Sequence, residues 1–162
     1  MTIIYISLGS NLNDPIYQIK STLIELDKIP QTKRIITSRF YITQPYGFKN
    51  QPNFINIAVE MDTKLSPESF LHFVKIIESK KGRVRNKERW GPRNIDIDIM
   101  LFGNLIINTD CLTIPHYDMV NRNFMLLPLT QIAPNITLPN NGKLIKSILD
   151  KLDISTIRIL NL

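Results

Sequence analysis

The segment from Asn94 to Phe102, NIDIDIMLF, alternates between apolar and polar residues with a period of two. A helix would scatter that pattern around its circumference, whereas a strand sorts it onto two faces. Ile95, Ile97, Ile99 and Leu101 are expected to take one face, and Asn94, Asp96, Asp98, Met100 and Phe102 the other. A chain with such a strand must cover the isoleucine face with another layer, and it must also account for two carboxylates set side by side on the opposite face.

Other segments supply the covering layer. Residues 2–11, TIIYISLGSN, read as a first strand ending in a Gly-Ser-Asn turn. Asp14 and Pro15 then open a helix whose apolar stripe is Ile16, Ile19, Leu23 and Leu26. KRIITSRFYIT reads as a second strand, and QPYGFKNQP as a loop punctuated by Pro45, Gly47 and Pro52. In NFINIAVEMD, Ile55, Ile57, Val59 and Met61 alternate with Phe54, Asn56, Ala58 and Glu60. Ser66 and Pro67 open a second helix with Phe70, Phe73, Val74 and Ile77 on its stripe, and Lys75 and Glu78 on that helix read as an i,i+3 surface pair. The order is β-α-β-β-α-β, that of a ferredoxin-like α+β core, in which a mainly antiparallel sheet carries its helices on one face. After Phe102 come a short hairpin and two further helical stretches, NFMLLPLTQIA and GKLIKSILDKL, suited to covering a sheet edge or rim. The 162 residues make one domain, 1–162, with a real core.

Two like charges on adjacent same-face positions repel and raise each other's pKa. A hard divalent cation between them removes that cost, and Mg²⁺ is commonly held by one or two carboxylates plus substrate phosphates. An ion-pair network of purely structural purpose is the plainer alternative. The preceding stretch, KKGRVRNKERWGPR, favours the first reading. It concentrates Lys80, Lys81, Arg83, Arg85, Lys87, Arg89 and Arg93 around Gly82, Gly91 and Pro92, in a chain of net charge +6. Arginine forks bind phosphate oxygens through paired hydrogen bonds. Carboxylates beside such a loop suit a metal–polyphosphate site and phosphoryl transfer, though neither a Walker A sequence nor the protein-kinase motifs are present. Two other readings fit the same plan: an RNA-binding module, disfavoured by acids on the strand that should carry stacking rings, and a metal-dependent nuclease.

The rest of the sequence narrows the setting. Cys111 is the single cysteine, so there is no intramolecular disulfide and no cysteine-built metal cluster. No apolar run approaches the roughly 20 residues of a membrane span, and the N-terminus lacks the basic flank of a signal peptide. A cytoplasmic protein is expected.

RWGPRNIDIDIM resembles the signature of the 6-hydroxymethyl-7,8-dihydropterin pyrophosphokinases. So, in order, do YISLGSNL, FYITQPYGFKNQPNFINIAV, GRVRNKERWGPR and PHYDMVNRNFMLLPL, and the resemblance runs from residue 3 to about residue 140. It implies that MgATP gives its β,γ-pyrophosphoryl unit to the pterin's hydroxymethyl oxygen, leaving AMP. It also implies that Asp96 and Asp98 hold two Mg²⁺ ions and that Arg83 and Arg93 stabilise the migrating charge. Arg85 and Trp90 would belong to the moving part of a loop that closes over bound substrates. Arg89, His116, Tyr117, Arg122, Leu71 and Ile99 would contact the nucleotide. So would Lys75, where many relatives carry a glutamine. Gly9, Thr43, Pro45, Tyr46, Phe54, Asn56 and Phe124 would recognise the pterin; position 46 varies among relatives. The implied partners are small molecules alone, acting on a monomer with no nucleic acid and no membrane.

Overall fold

The computed structural model describes residues 1–45, 50–82 and 94–162. Three long strands form its centre: β1 (Thr2–Ser10), β4 (Phe54–Thr63) and β5 (Asp96–Phe102). β1 lies between the other two and pairs antiparallel with both. On its other side β4 pairs with β2 (Thr32–Thr37) along one half and with β3 (Tyr41–Thr43) along the other. Helix α1 (Pro15–Asp27) joins β1 to β2, and α2 (Pro67–Lys80) joins β4 to β5. This is the β-α-β-β-α-β order expected from the periodicities. Both helices start as their sequences dictate, with the Asp14 carboxylate accepting from the Tyr17 N–H and the Ser66 hydroxyl from the Ser69 N–H, each followed by proline.

The expected second strand is two strands. Its continuity breaks at residues 38–40, between β2 and β3, and the Ser38 hydroxyl bridges the gap. It accepts from the Ala58 N–H at 2.9 Å, while the Ser38 N–H donates to the Ala58 carbonyl. Ser38→Ala would strand a buried donor, and we expect a loss of about 1–2 kcal/mol, measurable as a lower urea midpoint at unchanged slope.

The first core lies between the sheet and the two helices. Ile4, Ile6 and Leu8 of β1 and Ile55, Ile57, Val59 and Met61 of β4 meet Ile19, Leu23, Leu26, Phe70, Val74 and Ile77 there. β5 joins with Ile97 and Ile99 but then departs from simple alternation. Ile6 pairs with Ile99 and Tyr5 with Leu101, so Met100 is an extra residue, a β-bulge. Beyond it the faces exchange. Phe102, expected beside the aspartates, packs in the first core edge-on to Phe70, with ring centroids 6.3 Å apart. Leu101, expected with the isoleucines, lies with Met100 in a second core on the opposite face.

That second core is the work of the C-terminal part. A short hairpin, β6 (Ile107–Asn108) with β7 (Thr113–Ile114), leads through a single 3-10 turn to α3 (Asn123–Ile132). α3 does not serve as a rim. It lies across the second face of the sheet, packing Met125, Leu126 and Leu129 on Ala58, Met100 and Leu101. Of GKLIKSILDKL only Ile145–Leu149, α4, is helical, and Ile145 and Leu149 seal the same core. A last strand, β8 (Arg158–Ile159), pairs with β3 and lengthens the sheet beyond the expected core. In the same layer the Tyr5 hydroxyl donates to Glu60 across the strands, and burial, reinforced by that carboxylate, pushes the phenol up to about 12. The C-terminal layer covers only part of this face, and the remainder is the site.

Candidate active site

Where α3 stops short, the strand register arranges the exposed face into two rows. Gly9 of β1 sits opposite Asn56 of β4 on one side and opposite Asp96 of β5 on the other. One pleat along, Ser7 sits between Ala58 and Asp98. Small residues in the central strand therefore make a floor, and larger polar side chains stand on both sides of it. The resulting open cleft is lined by Gly9, Thr43, Phe54 and Asn56 at one end and by Asp96 and Asp98 at the other, with Arg122 and Phe124 contributed by the C-terminal part. All eight were singled out in the sequence. Ser7 and Gln44 also line the cleft. They escaped notice because a serine within a strand and a glutamine within a loop carry no pattern.

Gly9 is a strand residue, not part of a turn, and its lack of a side chain has a specific cause. A Cβ there would lie 2.6 Å from the Asn56 Oδ1 and 3.7 Å from the Phe54 ring. Asn56 is held in place. It is buried, and its Nδ2 donates to the Thr43 Oγ1 at 2.6 Å. The amide oxygen is thereby turned over the Gly9 backbone. A fixed amide, a hydroxyl and two phenyl rings around a bare floor match a flat heteroaromatic ring with an amide-like edge.

The other end is ionic. Asp96 and Asp98 project to the same side of β5, ~7 Å apart along the strand, and the Asp98 side chain is 30% exposed. His116 stands beside it, with Nε2 3.7 Å from Asp98 Oδ1. The His116 amide donates to the Met100 carbonyl, at the bulge, which sets the ring's place. Its Nδ1 accepts from the Asp118 N–H at 3.1 Å, so in the neutral ring the proton is on Nε2, facing Asp98. The ring stacks on Tyr117 at 4.8 Å. Arg122 is buried, with Nε on Asp118 at 3.0 Å and a terminal nitrogen 3.3 Å from the Tyr117 hydroxyl. Its guanidinium lies 5.6 Å from the Tyr117 ring centre and 5.9 Å from that of Phe124. Asp118, unnoticed in the sequence, thus sets both His116 and Arg122.

Among the described residues no group of three or more His, Cys, Asp or Glu is placed to hold a metal ion. Two carboxylates opening onto a cleft nonetheless form a donor set that fits Mg²⁺, a hard cation that keeps waters and takes substrate phosphates as its other ligands.

Three expected nucleotide contacts lie away from this cleft. Leu71 is partly buried against the first core and Lys75 is exposed, both on α2. The Ile99 side chain is 5% exposed within the first core, so only its main chain can meet a ligand, at the edge that β5 forms. Glu78 is no surface partner of Lys75. It is 3% exposed and its Oε2 accepts from the Ile97 N–H at 3.0 Å. The signal was present in the sequence, since position 78 continues the buried 70–74 spacing by one turn. Pro45 adjoins the cleft at Gln44. Tyr46, Arg83, Arg85, Arg89, Trp90 and Arg93 lie outside the described residues. Asn94 donates to the Lys81 carbonyl and accepts from Asn13, joining both ends of the basic segment to the turn after β1. No helix among the described residues is long and apolar enough to cross a membrane.

Comparison with known proteins converges on one family. The 7,8-dihydro-6-hydroxymethylpterin-pyrophosphokinase (HPPK) family model matches residues 5–134. The 2-amino-4-hydroxy-6-hydroxymethyldihydropteridine pyrophosphokinase of Haemophilus influenzae is 45% identical over 137 residues, covering 85% of each chain. The protein of the same name from Pseudomonas aeruginosa is 41% identical over 141 residues, covering 87% of this chain and 86% of the other. A crystal structure of an HPPK-DHPS protein in complex with substrates superposes with a TM-score of 0.74 at 16% identity. It covers 99% of this chain, which spans 47% of that longer one. The matched residues 5–134 run from β1 to just past α3 and include both ends of the cleft, and on this ground the chain belongs to the 7,8-dihydro-6-hydroxymethylpterin-pyrophosphokinase family.

Proposed function

We propose that this protein transfers the β,γ-pyrophosphoryl unit of ATP to the hydroxymethyl oxygen of 6-hydroxymethyl-7,8-dihydropterin, yielding the pterin diphosphate and AMP, as a step of folate biosynthesis. The observation that carries this reading is the two-ended cleft. An amide and aromatic end meets a dicarboxylate end across the bare Gly9 floor, so a flat ring and a metal-bound polyphosphate would be held in contact.

Each end has its task. Asn56, with Thr43 behind it, reads the pterin's amide-like edge, and Phe54 and Phe124 bracket the ring with Pro45 and Tyr46 alongside. Asp96 and Asp98 hold two Mg²⁺ ions, which when bound neutralise the triphosphate and draw charge from the reacting phosphorus. His116, Tyr117 and Arg122 present Nε2–H, hydroxyl and guanidinium donors to the nucleotide. Leu71, Lys75 and the Ile99 main chain flank its base. From the basic segment, Arg83 and Arg93 stabilise the migrating charge, Arg89 contacts the nucleotide, and Arg85 and Trp90 close over the substrates. The hydroxymethyl oxygen attacks the β-phosphorus and gives up its proton to solvent, the bond from that phosphorus to the α,β-bridging oxygen breaks, and AMP leaves with the bridging oxygen. The protein acts as a monomer in the cytoplasm.

The product decides the matter. Incubation with ATP, Mg²⁺ and hydroxymethyldihydropterin should release AMP in step with pterin diphosphate. ADP and a pterin monophosphate would make the protein an ordinary kinase, and release of nucleotides from RNA or DNA would revive the nuclease reading.

A further inference from the structure

We propose that Glu78 is a positioning residue for the Asp96/Asp98 pair, acting through the main chain of Ile97 between them. Its placement incurs three physical costs. It is a carboxylate almost wholly out of water, at 3% exposure. It stands in the last turn of α2, where the helix dipole disfavours negative charge. It also occupies the stripe shared by Phe70 and Val74, where a leucine would pack without penalty. At this place its Oε2 accepts the Ile97 N–H at 3.0 Å, which ties the end of α2 to β5.

That bond falls at a place the sheet leaves weak. Among the described residues β5 is a terminal strand, paired on one side, by β1. The Ile97 side chain is held in the first core, while its neighbours on both sides bear the carboxylates of the cleft. A bond to the outer edge of β5 at this residue restrains the strand's twist where it sets the separation and aim of Asp96 and Asp98. β1 holds the inner edge and α2, through Glu78, the outer one. Groups that fix metal-binding side chains without touching the metal typically matter ~10–100-fold. One main-chain bond belongs at the lower end of that range.

This inference rests on the metal–nucleotide reading of the cleft, and its test separates the two. Attack on the β-phosphorus breaks the α,β-bridge, so an α,β-methylene analogue of ATP is inert and can be titrated with Mg²⁺ by calorimetry. Glu78→Ala should weaken the magnesium-dependent affinity about tenfold and speed amide exchange at Ile97 by roughly as much, both measured well below the melting temperature. Glu78→Gln, which keeps an acceptor and loses the charge, should retain both values within about twofold. If the alanine variant does not fold, Glu78→Met supplies similar length without an acceptor. Faster exchange at Ile97 with unchanged affinity would make Glu78 merely structural. A glutamine variant as impaired as the alanine one would assign the effect to charge and overturn the positioning role. A wild-type protein indifferent to the magnesium analogue would overturn the functional reading itself, and this one with it.

Discussion

Asp96→Ala and Asp98→Ala should each lower kcat by on the order of 10³ or more while leaving the fold intact. Both side chains stand on the cleft face of β5, and neither belongs to either apolar core. The strand's place is held by its pairing with β1 and by Ile97 and Ile99 on the other face, so truncating either aspartate leaves that pairing untouched. The loss should therefore appear in turnover, and the denaturation midpoint should move by no more than about 1 kcal/mol. The two substitutions should also be strongly non-additive. Once one carboxylate is gone the metal–triphosphate complex is misplaced, and the second has little left to contribute. Pre-steady-state AMP release and urea denaturation of the same preparations are the measurements. A pair of variants that melted early yet turned over normally would mean that these aspartates serve a structural ion-pair network.

Gly9→Ala should cost on the order of 10² in pterin affinity, from the addition of a single methyl group. That methyl would lie 2.6 Å from the Asn56 Oδ1, well inside contact distance. Asn56 is buried and tied to Thr43 at 2.6 Å, so it yields only by breaking that bond and turning the pterin-reading oxygen away. A ligand lying on the bare strand would meet the methyl as well. Affinity for a magnesium–ATP analogue, titrated alone, should stay within about twofold, because Asp96 and Asp98 are on the neighbouring strand. Asn56→Ala should reproduce the selective loss of pterin binding, and the double variant should lose less than the two single losses combined, since both act in part through the same amide. Equal weakening of both ligands by Gly9→Ala would show instead that β1 itself had been distorted.

What the sequence by itself determined is whatever depends on local periodicity. The two-residue alternation in NFINIAVEMD sorted Asn56 from Ile55 and Ile57, and the alternation in NIDIDI put Asp96 and Asp98 on one face, because successive strand residues must point to opposite sides. Stripes four and three residues apart placed α1 and α2, and Asp14 and Ser66 marked where they begin. Ordered motifs then carried the family resemblance. Features that depend on which strand lies beside which were decided only by the tertiary structure. The bulge at Met100 exists because β1 offers one residue fewer there, and it exchanges the faces of Leu101 and Phe102 against any count made along β5 alone. Gly9 looked like a turn residue until the register set it against Asn56, and its bareness is a matter of that cross-strand neighbour. Glu78 reads as a surface charge because its only visible partner in sequence is Lys75, whereas in the fold it accepts from a main-chain N–H nineteen positions on. α3 could not be assigned to the sheet's second face from its own residues, since an apolar helix reports that it must be buried and not against what. Local pattern sets what each segment must hide, and only long-range pairing, whose closure entropy is repaid by contacts distant in sequence, sets what it meets.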